Sequence, residues 1–538
     1  MRLSGMPHSA GDPQMMDLTR LRQILKTCLR DHKRCQLRPL SESTSINILL
    51  IDVNQYCLVE KPYNCDRVAL SYVWGKDQAV KTTIKNLAEF KEEGSLLKIQ
   101  NEIPRTIWDS MLLVRGLGQR YLWADSLCIV QDDEEAKREQ IRAMDSIYSN
   151  SLLTIIAVSG HEANSGLPGV RPNTRPLRCT PLDERNALVA TTDDLGSIMG
   201  TSIYETRGWT FQERLLSPRR LYVSNWQYFF SCLTETCCED SLAEKPLRKS
   251  FDPHGTSPNS LMRKLASFDG RMLPELAFSV YGEIIENFST RSLTSPWDTV
   301  NAITGINKVA ALNLGRLLCA GGPYQLIEYC LIWFHQIGRT PIRNDYFASW
   351  SWAGWKCPVS FKLANEIFRD GTRPIFSCRA DVHMVEGRED WQYIDMLDIE
   401  GWGCNAGKFI SGQGRMARLE MGDLDENIDG EGKLVGMFFD TEIPAEPLKT
   451  SCWLIGLFRK ETVYYMTLIA ILKAACLASN IPLPDPFSEM DDLEKGCQVV
   501  VLLVEDKGEH VERMGIGIIS DSVWNQMLDI ERKSFTLM

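Results

Sequence analysis

The chain is poor in the short signatures that usually announce a chemistry. Neither a GxxxxGK[ST] loop nor a GxGxxG turn after a strand occurs in its 538 residues, which excludes two backbone cradles for nucleotide phosphates. HExxH and GxSxG are absent too, removing the zincin helix and the nucleophile elbow. Seven histidines are too few for a histidine-rich metal centre. The 17 cysteines form no CxxC pair and are scattered from Cys28 to Cys497, so buried thiols in a reduced protein are expected rather than a disulfide framework. Cys128, inside an apolar run, is expected to be inert core.

Long apolar runs are also missing. The longest, MTLIAILKAACLAS at 466–479, is broken by Lys473 and is too short to cross a bilayer. The opening MRLSGMPHSAGDPQMMDL has no apolar signal core and carries acidic residues, so a cytoplasmic location and no membrane span are expected. A basic surplus is lacking as well: 70 acidic against 59 basic residues leave a net charge of -11, which argues against nucleic acid as the main partner. The cluster Arg214, Arg219 and Arg220 is expected to be solvated or salt-bridged.

What is present is an ordinary globular balance, 44% hydrophobic and 24% charged, in a chain long enough for two or three domains. Leu18, Leu21, Leu25 and Leu29 recur at helical spacing and predict one helix over about 16–36. INILLIDV, RVALSYVWG, YLWADSLCIV and LLTIIAV predict strands. They alternate with a helix over 103–118, entered at Pro104 and stopped by Gly116 and Gly118, and with an amphipathic helix over 133–150. NALVATT predicts a further strand, ETRGWTFQERLLS a helix and RRLYVSNWQYFFSC a strand. This alternation is that of an α/β domain with a parallel core. The expected organisation is an N-terminal helix and strand (1–60), the α/β domain (61–240), a polar Pro/Ser-rich linker (241–270) and an α+β region (271–538). That last region has helices around 275–288 and 298–317 and short strands at FASWSWAG, VVVLLVED and GIGIIS. No internal repeat is evident.

Three clusters are candidates for chemistry. In WADSLCIVQDD, Asp125, Ser126, Gln131, Asp132 and Asp133 gather at the end of a buried strand, where open α/β sheets bind ligands. Asp125 is either functional there or a cap of the loop that follows. In RGWTFQERLLS, Arg207, Trp209, Gln212 and Glu213 fall within two helical turns. Trp209 and Glu213 share a face, which suits a stacked heteroaromatic ligand beside a general base. Equally, Trp209 is core and Glu213 pairs with Arg219 or Arg220. Ser71, Tyr72, Trp74, Gly75 and Lys76 close an early strand, with Gly75 permitting close backbone approach. Cys28, His32 and Cys35 lie at i, i+4 and i+7 and offer three soft ligands to zinc. A structural site needs a fourth, so no metal is expected and helix packing is their expected role.

RVALSYVWG, IPRTIWDSMLLVRGLGQRYLWADSLCIVQDD, GLPGVRP and RGWTFQERLLSPRRLYVSNWQYFFSC resemble, in order and rough spacing, the blocks of the fungal heterokaryon-incompatibility (HET) family. Val73 and Ala124 stand where other residues are commoner. CLRDHKRC, FSTRSLTSPWDTVNAITGI and YFASWSWAGW are similar to flanking family segments, while the NACHT and repeat modules that some members append are missing. The resemblance implies a cytosolic effector of nonself recognition that ends in growth arrest or programmed death, with other incompatibility proteins or copies of itself as partners. A more distant resemblance to the TIR fold, some members of which hydrolyse NAD with a glutamate, implies a site with Glu213 and Asp125 as catalytic groups. Trp209, Ser71, Trp74, Arg207, Gln212 and Gln131 would bind substrate. On that reading NAD is a substrate and no resident cofactor is expected. The alternative is an enzyme acting on a small metabolite of a biosynthetic pathway.

Overall fold

The structure is a computed structural model and describes residues 2–5, 14–36, 47–75, 80–176, 179–181, 186–189, 193–239, 260–268, 270–315, 322–323, 326–335, 341–369, 371, 373, 377–380, 410–419, 434–439, 452–461, 497–508, 510–520 and 531–537. Most of the expected linker, the apolar run at 466–479 and Lys76 lie outside the described residues. The chain divides into two units, residues 1–267 with 302–309, and residues 268–301 with 310–538.

The first unit is built on strands β1 (Arg2–Gly5), β2 (Asn47–Asp52), β3 (Cys57–Pro62), β4 (Val68–Ser71), β5 (Tyr121–Trp123), β6 (Leu153–Ile156), β7 (Cys179–Pro181), β8 (Asn186–Val189), β9 (Arg219–Val223), β10 (Tyr228–Cys232) and β11 (Thr236–Cys238). Its helices are α1 (Leu18–Asp31), α2 (Lys33–Gln36), α3 (Leu87–Phe90), α4 (Ser95–Lys98), α5 (Arg105–Gly116), α6 (Asp125–Cys128), α7 (Glu134–Arg142), α8 (Met144–Ser149), α9 (Leu195–Thr201), α10 (Gly208–Leu216) and α11 (Ser260–Leu265).

Eight strands form the main sheet in the order β11-β10-β9-β6-β4-β5-β2-β3. The middle of it is parallel: Val68 of β4 faces Leu122 on one side and Leu153 on the other, and Thr154 of β6 faces Arg220 of β9. Every residue of β4 and β6 is buried, as expected of strands covered on both faces by crossover helices. Short turns can only reverse a strand, so the edges are antiparallel: β2 with β3 on one side, and β9, β10 and β11 on the other. The expected α/β sheet with a parallel core is therefore present.

Several elements differ from expectation for identifiable reasons. The helix expected over 16–36 breaks at His32 (φ -91°, ψ 89°), so Cys28 and Cys35 sit on different helices. YLWADSLCIV is a strand only through Trp123. The chain then coils into α6, where the Cys128 N–H reaches Ala124 O at 2.8 Å and the Asp125 carboxylate takes the Ser126 N–H at 2.8 Å. The 133–150 helix is two helices that meet at Ala143, the first capped by the Asp133 carboxylate on the Ala136 N–H. RRLYVSNWQYFFSC is a hairpin, because the Ser224 hydroxyl accepts from the N–H groups of Trp226 and Gln227 and folds the chain back. NALV pairs with β1 and β7 in a separate three-stranded sheet rather than joining the main one. The 103–118 helix begins after Pro104 and ends as expected, with Gly118 in the left-handed region at φ 74°.

The second unit holds helices Pro274–Ser289, Asp298–Asn301 and Lys362–Arg369 and a seven-stranded, largely antiparallel sheet that includes Cys497–Asp506 and Val511–Ser520. FASWSWAG is not a strand. It ends in the 3-10 turn Trp352–Gly354, where the Ser351 hydroxyl accepts the Ala353 N–H at 3.1 Å. No described helix is long and apolar enough to cross a membrane.

Candidate functional site

Adjacent parallel strands end with polar side chains. β4 ends on Ser71, and β5 runs through Ala124 into Asp125, the first residue of α6. These C-terminal ends are where the crossover helices splay and leave room beside the sheet. The α6 turn is held from outside by Thr82, whose hydroxyl donates to Leu127 O at 2.6 Å and whose N–H donates to Ser126 O at 3.1 Å.

α10 delivers Glu213 to the same place. Its carboxylate accepts a short hydrogen bond from the Ser71 hydroxyl, and Ser71 Oγ lies 2.6 Å from Tyr204 Oη, which is 3.4 Å from Thr210 O. A serine hydroxyl has one proton, so two arrangements of this chain exist. With Glu213 ionised, Tyr204 donates to Ser71 and Ser71 to the carboxylate. With Glu213 protonated, the carboxyl donates to Ser71, Ser71 to Tyr204, and Tyr204 to the Thr210 carbonyl. The chain can therefore accommodate a proton on Glu213 without leaving a buried group unpaired. Tyr148 is a second hydroxyl within hydrogen-bond reach of Glu213, and its oxygen lies 3.1 Å from Leu70 O.

The two carboxyls differ in setting. Glu213 is 6% exposed, and burial pushes its pKa to about 7 against the pull of Ser71. The negative charge of Asp125 adds to the rise, and Arg207 and Tyr148 oppose it. Asp125 is half-buried; desolvation raises its pKa to about 6, opposed by the Trp74 indole N–H, which donates to it at 2.7 Å, and by the Ser126 amide. Tyr72 also bonds to it, and the Arg207 charge lowers it further. The Lys81 ammonium lies 5.3 Å from the Trp74 ring centroid. Two carboxyls with pKa values near neutrality, one enclosed and one opening outward, can divide between them the work of a proton-transferring group and a charge stabiliser.

Asp125, Glu213, Ser71, Trp74 and Arg207 are thus brought together. Three other candidates go elsewhere. Gln212 is buried, with its Oε1 accepting the Gly305 N–H at 2.7 Å, so it anchors the 302–309 segment. Gln131 spends its side-chain amide on the carbonyls of Asp125 and Ile129, at 3.0 and 3.2 Å, and closes the loop behind the site. Trp209 packs against the main hydrophobic core, and the tryptophan that touches a site carboxylate is Trp74. Glu213 does not pair with Arg219 or Arg220. The arginines are buried rather than solvated: Arg214 bridges Glu205 at 2.9 Å, Arg219 donates to Cys35 O and Leu152 O, and Arg220 donates to Ser231 Oγ at 3.0 Å. Cys128 is core, with its thiol pushed up to about 12 by burial. Tyr204 and Tyr148 escaped sequence reasoning, because a tyrosine on an apolar stripe is indistinguishable from core until its hydroxyl has a partner.

A second cluster lies at the β10 edge. Cys28, His32 and Cys35 are joined by Cys232, the last residue of β10, with ligand atoms all within 4.8 Å of one another. That fourth group is the one the local sequence lacks, because it arrives from 197 positions beyond Cys35.

The GLPGVRP loop packs beside α5. The Asp109 carboxylate, fully buried, accepts the Leu167 N–H at 2.8 Å and pairs with Arg171 at 2.6 Å. Gly166, at φ 77°, is required there twice over, since a Cβ would also stand 2.9 Å from Asp109 Oδ2.

No curated protein and no solved structure matches the chain. The model of the heterokaryon incompatibility protein (HET) family matches residues 68–213, which run from the first residue of β4 to Glu213 and contain both site carboxyls. Residues 68–213 are accordingly a heterokaryon incompatibility domain, which holds β4, β5, β6 and the carboxylate cluster, while the parallel strand β9 follows just beyond the matched residues.

Proposed function

We propose that the protein is a cytosolic effector of fungal nonself recognition that brings about growth arrest or programmed death, and that it does so through the carboxylate cluster of its HET domain. The observation that carries the chemical part is the meeting of Glu213 and Asp125 at the ends of β4 and β5, with the Ser71–Tyr204 chain behind Glu213. At neutral pH Glu213 is close to half-protonated and takes or gives a proton with little penalty. Asp125, mostly ionised and facing outward, stabilises positive charge that develops on a substrate. The Trp74 ring offers a stacking face, and the Arg207 guanidinium complements a phosphate. Together these suit cleavage of an N-glycosidic bond in a phosphorylated nucleoside, with NAD as the substrate to test and no resident cofactor. Copies of the same chain or other incompatibility proteins are the proposed partners.

The test uses the full chain and its Glu213→Gln variant, which keeps the acceptor for Ser71 and removes the titration. Wild type expressed in a fungal host is expected to arrest growth, and purified protein to release nicotinamide from NAD. The variant should lower both by a factor of ~100 or more while remaining folded. Growth arrest that survives in folded variant would remove the chemical site and leave an effector that works by contact alone. No growth defect from wild type would remove the effector reading itself. Turnover of a different small metabolite, with NAD untouched, would favour the biosynthetic alternative.

A further inference from the structure

We propose that Cys28, His32, Cys35 and Cys232 bind a structural zinc ion that fastens the N-terminal helix to the C-terminal end of β10 in the main sheet. The ligand set is three thiolates and one imidazole, the donors that select zinc over the hard cations. A tetrahedral zinc with these ligands separates two sulfurs by about 3.8 Å and a sulfur from a nitrogen by about 3.6 Å, from the usual Zn–S and Zn–N lengths. The four donor atoms lie within 4.8 Å of one another, and Cys232 Sγ is 3.4 Å from His32 Nδ1.

The surroundings are those of a built site. His32 presents Nδ1 to the cluster while its Nε2 faces the Glu235 carboxylate at 3.6 Å, where ligand histidines carry an outer carboxylate partner. The turn after β10 aims two backbone amides, of Thr234 and Glu235, at Cys232 Sγ, each at 3.4 Å, and the Thr234 hydroxyl lies 3.8 Å from Cys35 Sγ. All three thiols are buried and unpaired by disulfide. The break at His32 gains a purpose: it turns Cys35 and the imidazole back toward Cys28, and the new direction is held by the Cys35 N–H on His32 O at 2.9 Å. Four protein ligands complete the coordination, so the ion is structural and takes no part in chemistry at Glu213. At its other end α1 is held separately: Glu239 accepts the Asp17 N–H at 3.0 Å and is itself clamped by Arg175. Zinc would secure the remaining end.

The experiment measures metal in the full chain purified without chelator. About one zinc per chain is expected. The double variant Cys28→Ser, Cys232→Ser should carry none, and Cys57→Ser, which alters a buried thiol outside the cluster, should keep it. His32→Cys should also retain zinc, since a fourth thiolate preserves the geometry. Loss of the ion should raise amide exchange of α1 at least tenfold while the parallel strands stay protected. Folded wild type without zinc would overturn the proposal, as would zinc retained by the double variant or a disulfide among these cysteines. If the double variant fails to fold, cobalt(II) exchanged into wild type decides: thiolate-to-cobalt charge transfer with tetrahedral ligand-field bands supports the site, and their absence overturns it.

Discussion

Replacing Glu213 by glutamine removes a charge that the fold tolerates only at a cost. Burial raises the folded carboxyl from 4.5 to about 7. A folded state that holds the proton more tightly than the unfolded chain gains stability from it below about pH 4.5 and loses that stability as pH rises through about 7. At 1.36 kcal/mol per pH unit the full effect is about 3 kcal/mol, and about 2.5 kcal/mol of it falls between roughly pH 5 and pH 8. Asp125, at about 6, titrates in the same window and is present in both proteins, so the difference between them reports Glu213 together with its coupling to Asp125. Native-state hydrogen exchange at the amides of β4 and β6 reports opening of the unit that contains the site. Intrinsic exchange rates cancel when variant and wild type are compared at one pH. The protection ratio of variant to wild type should grow by on the order of 50-fold from about pH 5 to about pH 8. A ratio that stays flat, or one that falls, would mean that the ionised carboxylate is well compensated by Arg207, Tyr148 and Ser71, and the argument for a half-protonated Glu213 would be refuted.

Two further substitutions test the frame around the site. Asp109→Ala strips the buried acceptor from the Leu167 amide and the partner from Arg171, and should cost about 3 kcal/mol in denaturant unfolding, at the lower end for a buried pair because Arg171 is half-exposed and can rehydrate. A loss below about 1 kcal/mol would show that the GLPGVRP loop does not depend on this carboxylate. Gly305→Ala drives a Cβ into Asp145 Cβ and to 2.8 Å from Leu216 Cδ1, beside the amide that Gln212 holds. It should lower stability by about 1–3 kcal/mol, seen as a drop in Tm, and an unchanged Tm would show that the 302–309 segment moves away freely.

Much of the frame was readable in the sequence, because it is written in local periodicity. Val68–Leu70 and Leu153–Ile156 are apolar or β-branched at every position, the pattern of a strand covered on both faces, and the helices between them carry one apolar stripe each. The α/β sheet follows, and so does the placing of Asp125 and Glu213 in the blocks that resemble the HET family. Where local signals competed, the sequence misled. YLWADSLCIV is apolar enough for a longer strand, but at Asp125 the chain closes a helical turn through the Cys128 N–H on Ala124 O. Gln212 and Gln131 lie beside site residues in the sequence, yet their amides are committed to backbone, Gln212 to distant Gly305 and Gln131 to its neighbours Asp125 and Ile129.

By itself the sequence determined that strands and helices alternate as in an α/β domain with a parallel core, and that two carboxyls lie in the HET blocks. Those properties depend on residues within about one element of each other. Only the tertiary structure decided which polar groups meet. Ser71 reaches Glu213 across 142 positions, and Cys232 completes a cluster begun at Cys28, because both contacts are set by strand order in the sheet. The pKa values of Glu213 and Asp125 belong to the same class, since burial and the charge of a remote neighbour are properties of the assembled unit and of no segment within it.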